Sequence, residues 1–84
     1  MLYIYIEQCG GDRKPWYSAH RTNDPDEAIE RAIRKHWGAA AGWWGDHGLN
    51  HGLDSSRTRY GQIIKPCSTG GYDCVTPRVR IDIE

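Results

Sequence analysis

Residues 24–37, DPDEAIERAIRKHW, constrain this chain more than any other stretch, because cap, periodicity and charge all specify the same helix. Asp24 predicts an N-cap whose carboxylate accepts free backbone N–H groups of the first turn. Pro25 follows at the first helical position, where its missing N–H costs nothing. Glu27, three residues past the cap, completes a capping-box pattern. Ala28, Ile29, Ala32, Ile33 and His36/Trp37 share one face at helical spacing, and the charges fall on the other. Acids (Asp26, Glu27, Glu30) lead and bases (Arg31, Arg34, Lys35) follow, as the helix dipole favours. Glu27–Arg31 and Glu30–Arg34 are i,i+4 pairs in the better order, and Gly38 supplies the stop. A single amphipathic helix must bury its apolar face on something else in the chain.

Strand patterns provide that surface. Leu2, Ile4 and Ile6 alternate with Tyr3, Tyr5 and Glu7, so one side of a first strand is aliphatic. Cys9, Gly10, Gly11 and Asp12 are turn chemistry, and residues 16–21, WYSAHR, read as the hairpin partner. Residues 57–65, RTRYGQIIK, predict a third strand ended by Pro66, and residues 67–74 a turn-rich connection. Val75, Val79, Ile81 and Ile83 alternate with polar residues in a last strand, with Pro77 near its start. Residues 38–56 differ: they hold five of the ten glycines, two of the four tryptophans and two of the four histidines. Glycine at this density is a poor helix medium, so the segment reads as a loop or a short helical turn over 39–44. Loops this long are often functional. The order β-β-α-loop-β-β predicts an α+β two-layer sandwich: a four-stranded antiparallel sheet with one main helix on one face, a single compact domain over residues 1–84.

Composition narrows the function classes. Eleven acids balance eleven bases, which argues against both a generic nucleic-acid sponge and a wholly acidic mimic. A chain of this length buries only about 60–65% of its unfolded surface, so partner binding can add stability to a thin core. No stretch reaches membrane-spanning length, and the first residues lack the basic region and cleavage site of a secretory signal. Three cysteines, an odd and sparse set, predict free thiols in a reducing cytoplasm. Phe is absent, and four Trp and five Tyr supply the aromatic mass.

If the aliphatic residues of the terminal strands face the helix, Tyr3, Tyr5, Arg78 and Arg80 project from the opposite side of the sheet. Aromatics with arginine are the composition of a recognition patch; the alternative is a solvated face with ordinary cross-strand pairs. Adjacent Trp43 and Trp44 cannot both point inward on a regular element, so one is expected in the core and the other exposed as an interface anchor; the equal alternative is that both fold back to cap a thin core without Phe. Asp46, His47, His51 and Asp54 form the richest ligand cluster. His47 and His51, four apart, could grip zinc on a helix, but Gly45, Gly48 and Gly52 disfavour that helix and no HExxH pattern is present. Cys67 and Cys74 lie too far apart in sequence for a zinc knuckle; they read as free thiols, or as a pair close enough to bridge across a hairpin. No nucleophile elbow, P-loop or dinucleotide fingerprint accompanies the Ser, Cys and His residues. Arg57, Arg59, Lys65, Arg78 and Arg80, interleaved with Tyr60 and Tyr72, gather on the second hairpin as a candidate single-strand or RNA surface.

In size and overall character the chain resembles the small orphan proteins of phages and mobile elements, among which are the anti-CRISPR and other anti-defence inhibitors. The likeness carries no motif and no residue. It implies a cytoplasmic, non-enzymatic, cofactor-free inhibitor that occludes a surface of a host protein or ribonucleoprotein complex. On the residues of this chain, the expected contacts are Trp43, Trp44, Tyr3, Tyr5, Arg78 and Arg80, with Asp46 and Asp54 facing a basic partner. An uncovered sheet face or edge would also suit a homodimer. A small RNA- or single-strand-binding domain is the alternative, and a metal-dependent site at His47 and His51 the third.

Overall fold

The computed structural model describes residues 1–10, 14–45 and 57–84. Among them, six strands form one antiparallel sheet and one helix lies across it: β1 (Leu2–Gln8), β2 (Trp16–His20), α1 (Pro25–Trp37), β3 (Gly42–Gly45), β4 (Thr58–Pro66), β5 (Tyr72–Cys74) and β6 (Val79–Ile83). The sheet runs β2-β1-β6-β4-β3, with β5 also on β4. The two-layer α+β architecture is therefore the expected one.

The helix starts and stops where its sequence says, with one change in the cap. Asp24 accepts from the Asp26 N–H at 3.0 Å, and the Gly38 N–H closes on Arg34 O at 2.9 Å. Glu27 does not reach back to the Asp24 N–H as a capping box requires. It accepts instead from the Thr22 hydroxyl at 2.7 Å, and Thr22 Oγ1 itself accepts from the Asp24 N–H at 3.1 Å. The threonine hydroxyl relays between the two partners, leaving Glu27 to pair with Arg31 as well.

Four strands are corrected to six, for two local reasons. Residues 42–45, read as loop or helical turn, form β3 at the sheet edge, paired with Ile64 through Gly61 of β4. The last strand breaks at residues 75–78 rather than running on from Val75. There Val75 N–H donates to Ile63 O at 2.8 Å, and the Thr76 hydroxyl accepts from Ile63 N–H at 3.1 Å. A side chain thus replaces a strand carbonyl beside Pro77, which has no N–H to give. β5 and β6 are two segments flanking the same side of β4.

The core lies between sheet and helix. Ile4 and Ile6 of β1, Val79, Ile81 and Ile83 of β6 and Ile63 of β4 meet Ala28, Ile29, Ala32 and Ile33 of the helix. Each fully buried isoleucine contributes about 2 kcal/mol by removing apolar surface from water. Trp16, Trp37 and Trp43 pack against the margin of this cluster; the Trp16 and Trp37 rings lie 4.6 Å apart.

Two histidines sit at that margin. His20 is buried and shares a 2.7 Å hydrogen bond with Ser18, while His36 Nε2 is buried without a hydrogen-bond partner among the described residues. Burial first, then Lys35 and Arg31, lower the His20 pKa from 6.5; burial, Lys35 and His20 do the same for His36. The unfolded chain therefore binds protons more readily than the folded one at these two sites. Stability is fully present above pH 6.5 and declines as pH falls through the lower folded values. Thermal unfolding between pH 7.5 and 5 is expected to show a falling Tm, with a shallower slope in His36→Phe. An equal slope in that variant would remove His36 from the account.

Candidate binding face of the sheet

Strand alternation divides the sheet into a helix side and an open side. Leu2, Ile4 and Ile6 point to the helix, so Tyr3, Tyr5 and Glu7 point away. Pairing extends that side across the sheet: Tyr17 stands opposite Tyr5 on β2, Asp82 opposite Tyr5 on β6, and Arg80 opposite both Glu7 and Tyr60. The helix contacts lie on the other side. Tyr3 (56% exposed), Tyr17 (67%) and Trp44 (65%) consequently keep most of their surface open.

The tryptophan pair splits as expected. Trp43 packs against the core margin and Trp44 projects outward. The strand geometry of β3, with side chains alternating between faces, is what separates them.

Arg80 organises the middle of the open face. Its guanidinium lies 3.1 Å from Glu7, 3.1 Å from Asp82 and 5.7 Å from the centre of the Tyr5 ring. Asp82 foremost, and Glu7 with it, raise the arginine pKa and hold it charged. A hydrogen bond with Glu7, followed by burial, raises the Tyr5 hydroxyl above its ordinary value. Asp82 also accepts from the Thr58 hydroxyl at 2.8 Å. Arg78 stacks over Tyr60, 5.0 Å from the ring centre. Tyr5 and Tyr17 meet edge to face at 5.0 Å.

Beside this cluster is a shallow groove of about 590 Å³, lined by Tyr3, Tyr17, Ala19, Arg80, Asp82 and Glu84 among others. A second depression lies between Trp44, Tyr60, Gln62 and Arg78. The predicted contacts Tyr3, Tyr5, Arg78, Arg80 and Trp44 thus share one face, and Trp43 does not. Tyr17, Tyr60, Glu7, Asp82 and Glu84 complete it. The alternation in WYSAH is a signal for Tyr17, and alternation in the terminal strands already puts Glu7, Asp82 and Glu84 on this side; strand pairing supplies their neighbours.

The basic stripe assigned to the second hairpin is corrected. Arg59 is 1% exposed on the helix side, where it pairs with Asp26 at the start of α1. Lys65 shares the alternation phase of Arg59 on β4. Arg78 and Arg80 remain on the open face, and two carboxylates hold Arg80. No continuous phosphate track spans the described part of this hairpin.

Cys67 and Cys74 are free thiols with separate neighbours, Gly70 O at 2.7 Å and Gln62 Oε1 at 3.4 Å. Asp46, His47, His51 and Asp54 lie outside the described residues. Among the described residues, no three His, Cys, Asp or Glu side chains converge on a metal-sized site. The Ser18–His20 contact has the spacing of a nucleophile and base. Burial first, then the neighbouring Lys35 and Arg31, disfavour the imidazolium form of His20. Among the described residues, no helix is long and apolar enough to cross a membrane.

No protein-family model, curated protein or solved structure matches the chain.

Proposed function

We propose that this chain is a non-enzymatic protein-binding module that docks through the open face of its sheet and occludes a surface of a larger macromolecular complex. Its mode of action would be that of the anti-CRISPR-type inhibitors it resembles in size and character. The observation that carries the reading is the grouping of Tyr3, Tyr17 and Trp44, each more than half exposed, on the sheet side opposite the helix. Aromatic side chains of this kind supply large contact area at low entropic cost and dominate binding energy at interfaces. The ionic groups between them are largely paired with one another, so the face is closer to neutral than a phosphate-binding surface needs.

Affinity capture from a cytosolic extract, with and without nuclease, tests this. A stoichiometric protein partner that survives nuclease is expected. Trp44→Ala and Tyr17→Ala should each weaken its binding by about 2 kcal/mol, roughly thirtyfold. Unchanged affinity in both variants would remove the open face from the interaction.

The Arg78–Tyr60 stack favours one second reading, a small single-strand or RNA-binding domain that stacks bases on Tyr60 and Trp44. Recovery of nucleic acid alone, with affinity falling steeply as salt rises, would select it.

A further inference from the structure

The open face already holds cations over its tyrosine rings, and the way it holds Arg80 indicates what a partner could place beside it. Arg80 stands over the Tyr5 ring between two carboxylates. Aromatic faces attract cations through their quadrupole, and carboxylates at the rim orient the charge. A second aromatic and carboxylate set, Tyr3 with Glu84, lies one residue pair away, on the groove that Arg80 borders from its Tyr5 side. Tyr3 and Glu84 are bonded directly across β1 and the end of the last strand, with N–H···O distances of 2.9 Å in both directions. On the other flank of Tyr3 stands Ala19, its partner on β2. A methyl group there leaves the space between the exposed Tyr3 and Tyr17 rings unfilled, and that space is the groove. The Glu84 carboxylate makes no hydrogen bond or ion pair within the described residues. Asp82 and Glu84 outnumber Arg80 along the groove, so the local field favours an incoming positive charge.

We propose that the tyrosine groove formed by Tyr3, Tyr17, Ala19 and Glu84 binds a lysine or arginine side chain from a basic segment of the protein partner. The inference rests on the open face being the docking surface and adds the chemistry of what docks there. The cation lies between the two rings above Ala19, and Glu84 takes its charge, as Glu7 and Asp82 take that of Arg80. A neutral aliphatic side chain would fill the same space without engaging either the rings' quadrupoles or the carboxylate.

The test titrates the isotope-labelled full chain with the peptide acetyl-GKGRGKG-amide, followed by backbone amide shifts. A control peptide carries norleucine for lysine and citrulline for arginine. Saturable shifts at residues 2–5, 17–19 and 82–84 are expected with the charged peptide, and none with the neutral one. Glu84→Gln should weaken the binding roughly threefold, the size of an exposed charge pair. Ala19→Leu, at an exposed position, fills the groove while keeping every carboxylate, and should abolish the saturable shifts. Equal shifts from the neutral peptide, shifts elsewhere, no shifts, or an unaltered titration in Ala19→Leu overturn the proposal. Stronger shifts of these same amides by a short oligothymidylate overturn it in favour of nucleic acid. Should the peptide fail while partner capture still depends on Tyr17 and Trp44, the groove assignment falls and the docking reading stands. Loss of that dependence removes the docking reading itself.

Discussion

Gly61→Ala is expected to destabilise the fold by about 2–3 kcal/mol, as overpacking of a close contact does, and to lower Tm by roughly 10–20 °C for a domain of this size. Gly61 of β4 and Gly45 of β3 are direct cross-strand partners. A Cβ at Gly61 would lie 2.6 Å from Gly45 Cα, 2.6 Å from Trp44 O and 2.7 Å from the Trp43 ring. A Cβ at Gly45 would meet Gly61 Cα at 2.5 Å and the same ring at 2.7 Å. Neither glycine has a positive φ, so the constraint is space and not backbone conformation. The two backbones and the Trp43 indole occupy the room a methyl group needs, and relief requires either a displaced tryptophan or a separated edge strand. Gly42→Ala is the control, because its added Cβ would find Ile64 at an ordinary 3.6 Å. Denaturant unfolding followed by tryptophan fluorescence measures both. Equal stability of the two variants would show that the close approach carries no energetic weight.

Asp26→Ala should cost about 2–3 kcal/mol, by a different route. Arg59 is almost wholly buried on the helix side of β4, and the Asp26 carboxylate at the start of α1 pairs with it. Removing one partner of a buried charge withdraws compensation in a low dielectric, at a typical cost of roughly 3–5 kcal/mol. Asp26 is 28% exposed, so water can take over part of its role and the expected loss falls below that range. The carboxylate also faces the positive end of the helix dipole, a smaller contribution of about 0.5 kcal/mol. Arg59→Met, which removes the buried charge and keeps the volume, should be milder. The double variant Asp26→Ala with Arg59→Met should recover stability relative to Asp26→Ala alone, since no buried cation is left behind. A double variant less stable than either single one would mean that Arg59 serves the fold through packing, with its charge incidental.

These two contacts mark where sequence reasoning stopped. In RTRYGQIIK, alternation puts Arg59 on the same side as Ile63, yet arginine composition argued for solvent, and the composition argument was the wrong one. Buried Arg59 pairs with a carboxylate thirty-three positions earlier in the chain. Gly61 interrupts an otherwise regular strand pattern, and a glycine inside a strand is a legible sign of close backbone approach. Its partner Gly45 lay in a stretch whose glycine content pointed to a loop. Glycine-rich segments score poorly as strands because most strands gain from side-chain packing. Here β3 takes its packing from Trp43 alone on the helix side and gives up side chains where it meets β4.

Features governed by neighbours within a few positions were legible before any packing was known: the limits of α1, its buried face, and which sides of β1 and β6 are aliphatic. Such features follow from hydrogen bonds and periodicities of two to four residues, which any short window contains. Packing of the whole chain brought together residues far apart in it. Adjacency of β1 and β6 carries Arg80 to Glu7, seventy-three positions away, and completes the Tyr5 cluster. Thr76 reaches Ile63 because the chain breaks beside Pro77, and Ala19 opens a groove only because β2 aligns it with Tyr3. Cross-strand register arises from global packing of the buried faces, where the loss of chain entropy is offset by burial summed over the whole core. No local pattern encodes that sum, so the helix was readable from its own residues while the binding face had to be assembled.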